Sequence, residues 1–315
     1  MGDISRDASL DLAEEPKKRS LLVDFFIRLV KEKPLGVVGG LIFLLLLVTG
    51  IFANLLAPYG MNEIHLVDRL SPPSAQYLLG TDHMGRDLLS RIIYGARISM
   101  YVGLGASALL TITATTIGLV SGFAGGRVDM SIQRFVDAWM CFPGLVILLT
   151  VMALLGPGLI QVILVLGIAT GIPFSRVVRG AVIGIRENVY IDAAKAIGCS
   201  TTEMLTRHIL PNIAAPIIII FTTQCGYMIL GEAALSFLGF GIPPPQPSWG
   251  GMLSGAGREY MYIAWWMPIW PGLALSIAVY GLNVLGDAAR DILDPRLRGG
   301  IGRYGGVKVK SHAKK

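Results

Sequence analysis

Between two long apolar runs the chain carries a polar passage, Tyr190-Ile-Asp192-Ala193-Ala194-Lys-Ala-Ile197-Gly198, continuing through Ser200 to His208-Ile-Leu210-Pro211. Its residue types suit docking. On a short helix Asp192, Ala193, Ala194 and Ile197 fall within about one turn of each other, and the two alanines leave a low surface for a partner's groove. Gly198 supplies the φ freedom that ends such a helix. Ser200-Thr-Thr-Glu203 is a capping box for a second helix, and Pro211 is expected to force the chain out of it. An ordinary helical hairpin with alanine at its packing face has the same pattern.

A second candidate is Glu232, the one acid embedded in or near an apolar run, with Gln224 eight residues earlier near the same helix face. An ionisable residue in such a setting is a functional hypothesis by default. The pair could hydrogen-bond a neighbouring helix or line a polar path, and the place of Glu232 near the end of its run favours structural hydrogen bonding. Bond-making chemistry has no comparable signal. No Gly-Lys dipeptide exists, so no phosphate loop can be built. His65, His83, His208 and His312 lack metal-ligand spacing. Cys141, Cys199 and Cys225 are scattered near apolar runs and the polar loop, as reduced thiols would be. Nucleophile elbows and His-Glu-x-x-His helices are missing too. The sequence predicts neither a metal nor a cofactor held by this chain.

The elements that position these residues are membrane helices. Apolar residues make up 53% and charged residues 15%, against roughly 25% charged in soluble domains. Leu35–Leu56 carries no charge over a length that spans the hydrocarbon, about 20 residues. Ile98–Ala124 is a second span, rich in Gly and Thr. The uncharged stretch from Asp137 to Arg176 is too long for one crossing and splits at Gly156-Pro157-Gly158. Ile213–Gly231, extending toward Leu238, is the fifth span, and Tyr262–Leu285 the sixth. The fold class is therefore all-α, with six transmembrane helices.

Orientation follows from Lys and Arg. With the N-terminus inside, 22 of the 27 fall on the cytosolic side, leaving Arg69, Arg86, Arg91, Arg97 and Arg258 outside, as the positive-inside rule demands. This puts the Asp192–Pro211 loop in the cytosol. It also explains the net charge of +6 by topology; no aromatic interleaving suggests nucleic acid. Residues 1–20 read as a disordered cytosolic tail without a cleavable signal. Residues 21–33 read as an amphipathic helix in the membrane interface: Leu21, Leu22, Phe25, Phe26, Leu29 and Val30 lie opposite Asp24, Arg28 and Lys31, although a buried helix has the same periodicity. The first span then covers 34–57, an outer loop 58–97, and a core of five spans 98–290 with its cytosolic loop at 186–211. A cytosolic tail at 291–315 closes the chain.

The Asp192–Pro211 pattern resembles the Glu-Ala-Ala loop of bacterial ABC importer permeases, in which Gly, Ile and Leu-Pro follow at fixed spacings. Asp192 stands where that family usually has Glu, and His208 where many members have Ile. Leu79-Gly80-Thr81-Asp82-His83-Met84-Gly85-Arg86-Asp87-Leu88-Leu89-Ser90-Arg91 resembles the outer segment of the dipeptide, oligopeptide and nickel branch. Further similar stretches follow in order. They are Gly125-Gly126 to Asp137, Gly231-Glu232 to Gly239, Pro243 to Trp249-Gly250, and Gly286-Asp287 through Arg290-Asp291 to Arg298, so that the resemblance covers about residues 20 to 300.

The resemblance implies a type I ABC importer permease fold with an N-terminal interfacial helix, in a bacterial inner membrane. Partner ATPases would bind ATP and Mg and seat Asp192, Ala193, Ala194, Ile197, Gly198, Glu203, His208, Leu210 and Pro211. A second permease would complete the pathway. An extracytoplasmic binding protein would deliver a peptide or related solute, with Asp82, Arg86, Asp87 and Trp249 as candidate contacts, although a packed surface helix with internal Asp–Arg pairs accounts for that loop equally. The alternative, an ion-gradient-driven secondary transporter, ordinarily needs several intramembrane charges, and this sequence offers essentially Glu232.

Overall fold

A computed structural model describes residues 21–293, with side chains from residue 27 onward. The expected tail at 1–20, the cations beyond Arg290, the Asp294–Arg298 motif and the side chains of Leu21, Leu22, Phe25 and Phe26 lie outside the described part. In chain order the elements are α1 (Leu21–Glu32), α2 (Pro34–Ile51), α3 (Ala53–Leu56), a 3₁₀ turn (Leu66–Asp68), α4 (Leu88–Ala124), α5 (Gly126–Met140), α6 (Gly144–Leu155) and α7 (Leu159–Arg186). There follow α8 (Val189–Ala196), α9 (Thr201–Glu203), a π-helical turn (Met204–Ile209), α10 (Leu210–Asn212), α11 (Ala214–Phe237), α12 (Trp249–Leu253), α13 (Ala256–Glu259) and α14 (Trp266–Leu293). The described residues form no strand, only an isolated bridge between Thr81 and Asp87.

Five helices, α2, α4, α7, α11 and α14, are long and apolar enough to cross a membrane. The remaining crossing is a broken one, in which α5 and α6 meet at an angle of 88°. Alone, the 12 residues of α6 reach about 18 Å, short of the roughly 30 Å hydrocarbon. Packing supplies the missing argument.

Helices α4 and α7 lie side by side through two small-residue stripes, Gly118-Leu-Val-Ser-Gly122 and Gly167-Ile-Ala-Thr-Gly171. Moving along the pair, Gly167 lies against Leu109, Gly171 against Thr113, Gly118 against Ser175 and Val178, and Gly122 against Val182. Both registers climb together, so the helices run parallel, and the chain between them must return through the bundle. That return is α5–α6. By the same reasoning α2 is antiparallel to α14, with Gly36 against Ala288 and Gly39 against Leu285, and α11 is antiparallel to α14, with Gly226 against Asn283 and Gly286 against Thr223. The described chain thus alternates through six crossings and brings its first and last helices to one face, where Leu29 packs with Ala288 and Ile292 and Lys33 Nζ donates to Asp291 at 2.5 Å.

Several expected boundaries move. The second span begins at Leu88, ten residues before Ile98, because the Asp87 carboxylate caps it by accepting from the Ser90 amide at 2.7 Å. Arg97 stays inside that helix, donating from its Nε to the Gly50 carbonyl at 2.8 Å and so satisfying the open end of α2. The sixth span runs Trp266–Leu293, and residues 262–265 belong to the preceding turn, closed by Ala264 N to Tyr260 O at 2.8 Å. The Gly156-Pro157-Gly158 turn lies where expected, between α6 and α7.

Overpacking the α4–α7 seam should be costly. In Gly118→Leu the new Cβ meets the Ser175 carbonyl and Val178, so thermal unfolding in detergent should show a loss of about 1–3 kcal/mol. At Gly180, where a Cβ meets nothing within 4 Å, alanine should leave unfolding unchanged or raise its midpoint.

Candidate functional site

The polar loop at the C-terminal end of α7 folds as an elbow rooted in the span core. Ile191, Ala194, Met204, Ile209 and Ile213 are buried, and Ile191, Ile209 and Ile213 join the same apolar cluster as Val178 and Val182 of α7 and Leu110 and Ala114 of α4. Asn188 donates to the Gly184 and Ile185 carbonyls at 3.0 Å, and Arg186 donates to the Gly122 and Phe123 carbonyls at 3.1 and 2.9 Å. Elbow, α7 and the end of α4 are therefore tied together by an apolar core and by hydrogen bonds to helix-end carbonyls.

The exposed side of α8 differs from expectation in one respect. Ala194 is buried, so of the two expected alanines Ala193 alone offers the low surface; the outward stripe is Val189, Ala193 and Ile197, with Val189 and Ile197 84% and 82% exposed. Sequence reasoning missed Val189, although its four-residue spacing from Ala193 and eight from Ile197 was visible. Asp192 is exposed and accepts from Lys195 Nζ at 3.0 Å. Gly198 has φ +85°, the left-handed value expected of a residue ending α8. Ser200 Oγ accepts from the Glu203 amide at 3.2 Å, but Glu203 turns away to Arg207, 2.7 Å, so the capping box is half formed.

Pro211 does not expel the chain as expected. It lies in α10, directly after the π-helical turn Met204–Ile209, where the Leu210 amide reaches five residues back to the Leu205 carbonyl. The wider turn makes room for a ring that would clash in a regular helix, and the break comes at Ile213. His208 and Tyr190 face each other across the elbow, centroids 6.5 Å apart; Leu210 and Pro211 are exposed.

Two ion pairs beside the elbow strap the broken crossing to α7. Asp129 accepts from Arg179 Nε and Nη2 at 2.6 and 2.5 Å and from the Ser121 hydroxyl, while Asp137 pairs with Arg176. These side chains sit in the Gly125–Asp137 segment singled out above, but their partners on α7 were not legible from spacing.

At the opposite end Asp82, Arg86, Asp87 and Trp249 are all buried, and they hold the outer loop together. Asp82 Oδ1 accepts from the Met84 and Arg86 amides at 2.8 and 3.0 Å, and Oδ2 from Arg86 Nε at 2.7 Å. Trp249 Nε1 donates to the Ile92 carbonyl at 3.1 Å and Trp266 Nε1 to the Thr81 carbonyl at 3.1 Å, so α12 is tied to the start of α4 and α14 to the loop. Tyr77 donates to Asp68 at 2.9 Å, and burial with that carboxylate pushes its phenol up to about 12. Gln224 and Glu232 are likewise buried in α11. Glu232 Oε1 accepts from Ser236 Oγ at 2.6 Å, and Ser236 Oγ accepts from the Ile242 amide at 3.0 Å, which folds the segment after α11 back onto it. No group of three or more His, Cys, Asp and Glu suited to a metal occurs among the described residues.

Six alternating crossings with an elbow seated on their core define a multi-span membrane permease, and comparison with known proteins goes one step further. The chain belongs to the family described as binding-protein-dependent transport system inner membrane component, whose model matches residues 114–299; residues 20–73 match the N-terminal transmembrane domain of oligopeptide transport permease C. It is 40% identical over 269 residues to the dipeptide transport system permease protein DppC of Alkalihalophilus pseudofirmus, covering 85% of this chain and 88% of that protein. To the di/tripeptide transport system permease protein DppC of Pseudomonas aeruginosa it is 40% identical over 270 residues, 84% and 89% of the two chains. To the glutathione transport system permease protein GsiD of Pectobacterium atrosepticum it is 36% identical over 292 residues, 92% and 96%. The chain is a permease subunit of an ABC importer, an inner-membrane transport component.

His83 sets a pH dependence for the outer loop. Burial, and then the neighbouring guanidiniums of Arg86, Arg69 and Arg91, outweigh Asp82 and hold its imidazole below the usual value. The folded loop therefore binds fewer protons than the unfolded one between the folded pKa and about 6.5, and stability falls as pH drops through that window. Acidification from pH 7.5 to 5.5 should lower the unfolding temperature, and His83→Gln should flatten that slope.

Proposed function

We propose that this chain forms half of the transmembrane pathway of an importer for small peptides or chemically related solutes. The observation that carries the reading is the elbow, which buries Ile191, Ile209 and Ile213 in the span core while presenting Val189, Ala193 and Ile197 outward. A face of that kind transmits displacement. A partner ATPase gripping α8 would move it as a lever, and its root in α7 and α4 would carry the motion to the crossings. Asp192 would offer the partner's donors a carboxylate, with Gly198 setting the angle between the arms and Glu203, His208, Leu210 and Pro211 forming the second arm.

In this reading ATP and Mg are bound by two ATPase subunits, and a second, similar permease completes the pathway. An extracytoplasmic binding protein delivers the solute at the end that carries the Thr81–Asp87 loop. Both termini lie in the cytosol, in line with the Lys and Arg distribution. Coupling requires that ATP and the loaded binding protein favour the same conformer, since neither can shift a population it does not distinguish. Small peptides are favoured because relatives are named for dipeptides, di- and tripeptides and glutathione.

Gly198→Val should strain the left-handed turn by roughly 1–2 kcal/mol and uncouple transport while the protein still inserts. Asp192→Ala should weaken copurification with the ATPase, and Asp192→Glu should preserve it. In liposomes the isolated chain should neither hydrolyse ATP nor accumulate solute; with its partners, uptake should require ATP and resist proton and sodium ionophores at constant ATP. Ionophore-sensitive accumulation by the isolated chain would instead establish the ion-gradient transporter, with Glu232 the first residue to replace.

A further inference from the structure

The loop before α4, α12 and the residues around Pro243 line a half-open cavity of about 480 Å³, with Asp82, His83, Arg86, Arg91, Ser248 and Ser254 in its wall. Its charges do not balance. The side chains of Arg86 and Arg91 are only 10% and 8% exposed, and Asp82 is the carboxylate paired with both. Asp82 already accepts three hydrogen bonds, from the Met84 and Arg86 amides and from Arg86 Nε, and Arg91 Nε stands 3.7 Å away from it, beyond hydrogen-bond reach. Asp87, the other nearby acid, is committed to the Ser90 amide and hydroxyl, both at 2.7 Å.

A guanidinium carries five N–H donors. Among the described residues Arg86 gives a hydrogen bond only through Nε, and Arg91 only through Nη1, to the Met61 carbonyl at 3.3 Å. Their remaining terminal N–H groups have no acceptor in the described chain. His83 Nδ1 on the same lining is buried without a hydrogen-bond partner. Both guanidiniums share the single Asp82 carboxylate, and the planar fork of an arginine is matched by the two oxygens of a further carboxylate.

We propose that this cavity binds a carboxylate, held by the terminal N–H groups of Arg91 and Arg86, with Asp82 as the internal brace that keeps both guanidiniums turned toward the ligand. A volume of about 480 Å³ takes a chain end or one to two residues. The carboxylate comes either from the solute or from an acidic side chain of the delivering binding protein. Only the choice between those sources rests on the importer reading; the site itself rests on the arginines.

The test uses the assembled complex in nanodiscs without binding protein, titrated with N-acetylalanine and with its neutral amide. N-acetylalanine should bind and the amide should not, and Arg91→Gln should weaken binding by at least about tenfold. Because an arginine variant could disturb the loop, Ser254→Glu provides a second route: a tethered carboxylate on the cavity wall should suppress N-acetylalanine binding at least as strongly, and Ser254→Gln should have a much smaller effect. In a parallel arm, binding-protein docking to wild type and to Arg91→Gln is measured with and without N-acetylalanine. Docking unaffected by either identifies the solute as the source; docking weakened by both identifies the binding protein. Equal binding of acid and amide, equal competition by sulfate and phosphate, or no effect of Ser254→Glu would overturn the proposal. ATP-driven uptake, measured on the same preparation, reports independently on the importer reading.

Discussion

The close approach of α4 and α7 is the constraint on which the rest depends. Lipid tails provide no hydrophobic drive between helices, so association in a membrane relies on backbones meeting closely over small residues. Gly118, Gly122, Gly167 and Gly171 permit that approach, and their register makes the two helices parallel. Parallel neighbours in turn oblige the intervening chain to return, which it does as the broken α5–α6 crossing. Asp129 and Asp137, held by Arg179 and Arg176, keep α5 against α7. The elbow follows α7 directly and shares one apolar cluster with both helices of the seam.

The two ends of the bundle solve different problems. At the elbow end large aliphatics fill the root of the elbow, and its exposed stripe of Val189, Ala193 and Ile197 is apolar. The π-helical turn lets Pro211 remain within the second arm and avoids an early break. At the other end the 31-residue loop between α3 and α4 buries a single hydrophobic residue, Tyr77. Polar side chains hold it: Asp82, Asp87 and Thr81 satisfy backbone amides, the Trp266 indole donates to the Thr81 carbonyl, and the Trp249 indole ties α12 to the start of α4. Such a network is stable only when its members are satisfied, which makes the uncommitted guanidinium N–H groups of Arg86 and Arg91 notable within it.

Burial also reassigns residues that looked like contact points. Asp82, Arg86, Asp87 and Trp249 have the types expected at a recognition surface, yet all four are buried, and Asp82, Asp87 and Trp249 are engaged in hydrogen bonds within the chain. Glu232 likewise braces the turn after α11 through Ser236 and the Ile242 amide. The exposed Val189 is less conspicuous in the sequence, where it reads as an ordinary core aliphatic, whereas Ile197 already stands among the docking candidates of the polar loop.

Much of this was legible without coordinates, because the relevant signals are local. Long uncharged runs specify membrane helices wherever they lie, Lys and Arg report their orientation, and the Gly198 turn and the Ser200 cap are matters of a few adjacent residues. Even the GxxxG spacings of the seam are visible in one dimension. The sequence alone therefore determined an all-helical membrane chain, its number of crossings and the position of its elbow. What it could not decide is which face of each element meets another. Whether Ala194 or Val189 points outward, which arginine Asp129 finds fifty residues away, and that Asp87 starts α4 ten residues early all depend on the partners each surface meets. Burial is a property of the assembled bundle, and only the tertiary structure separates a charge that braces the fold from one that remains to bind.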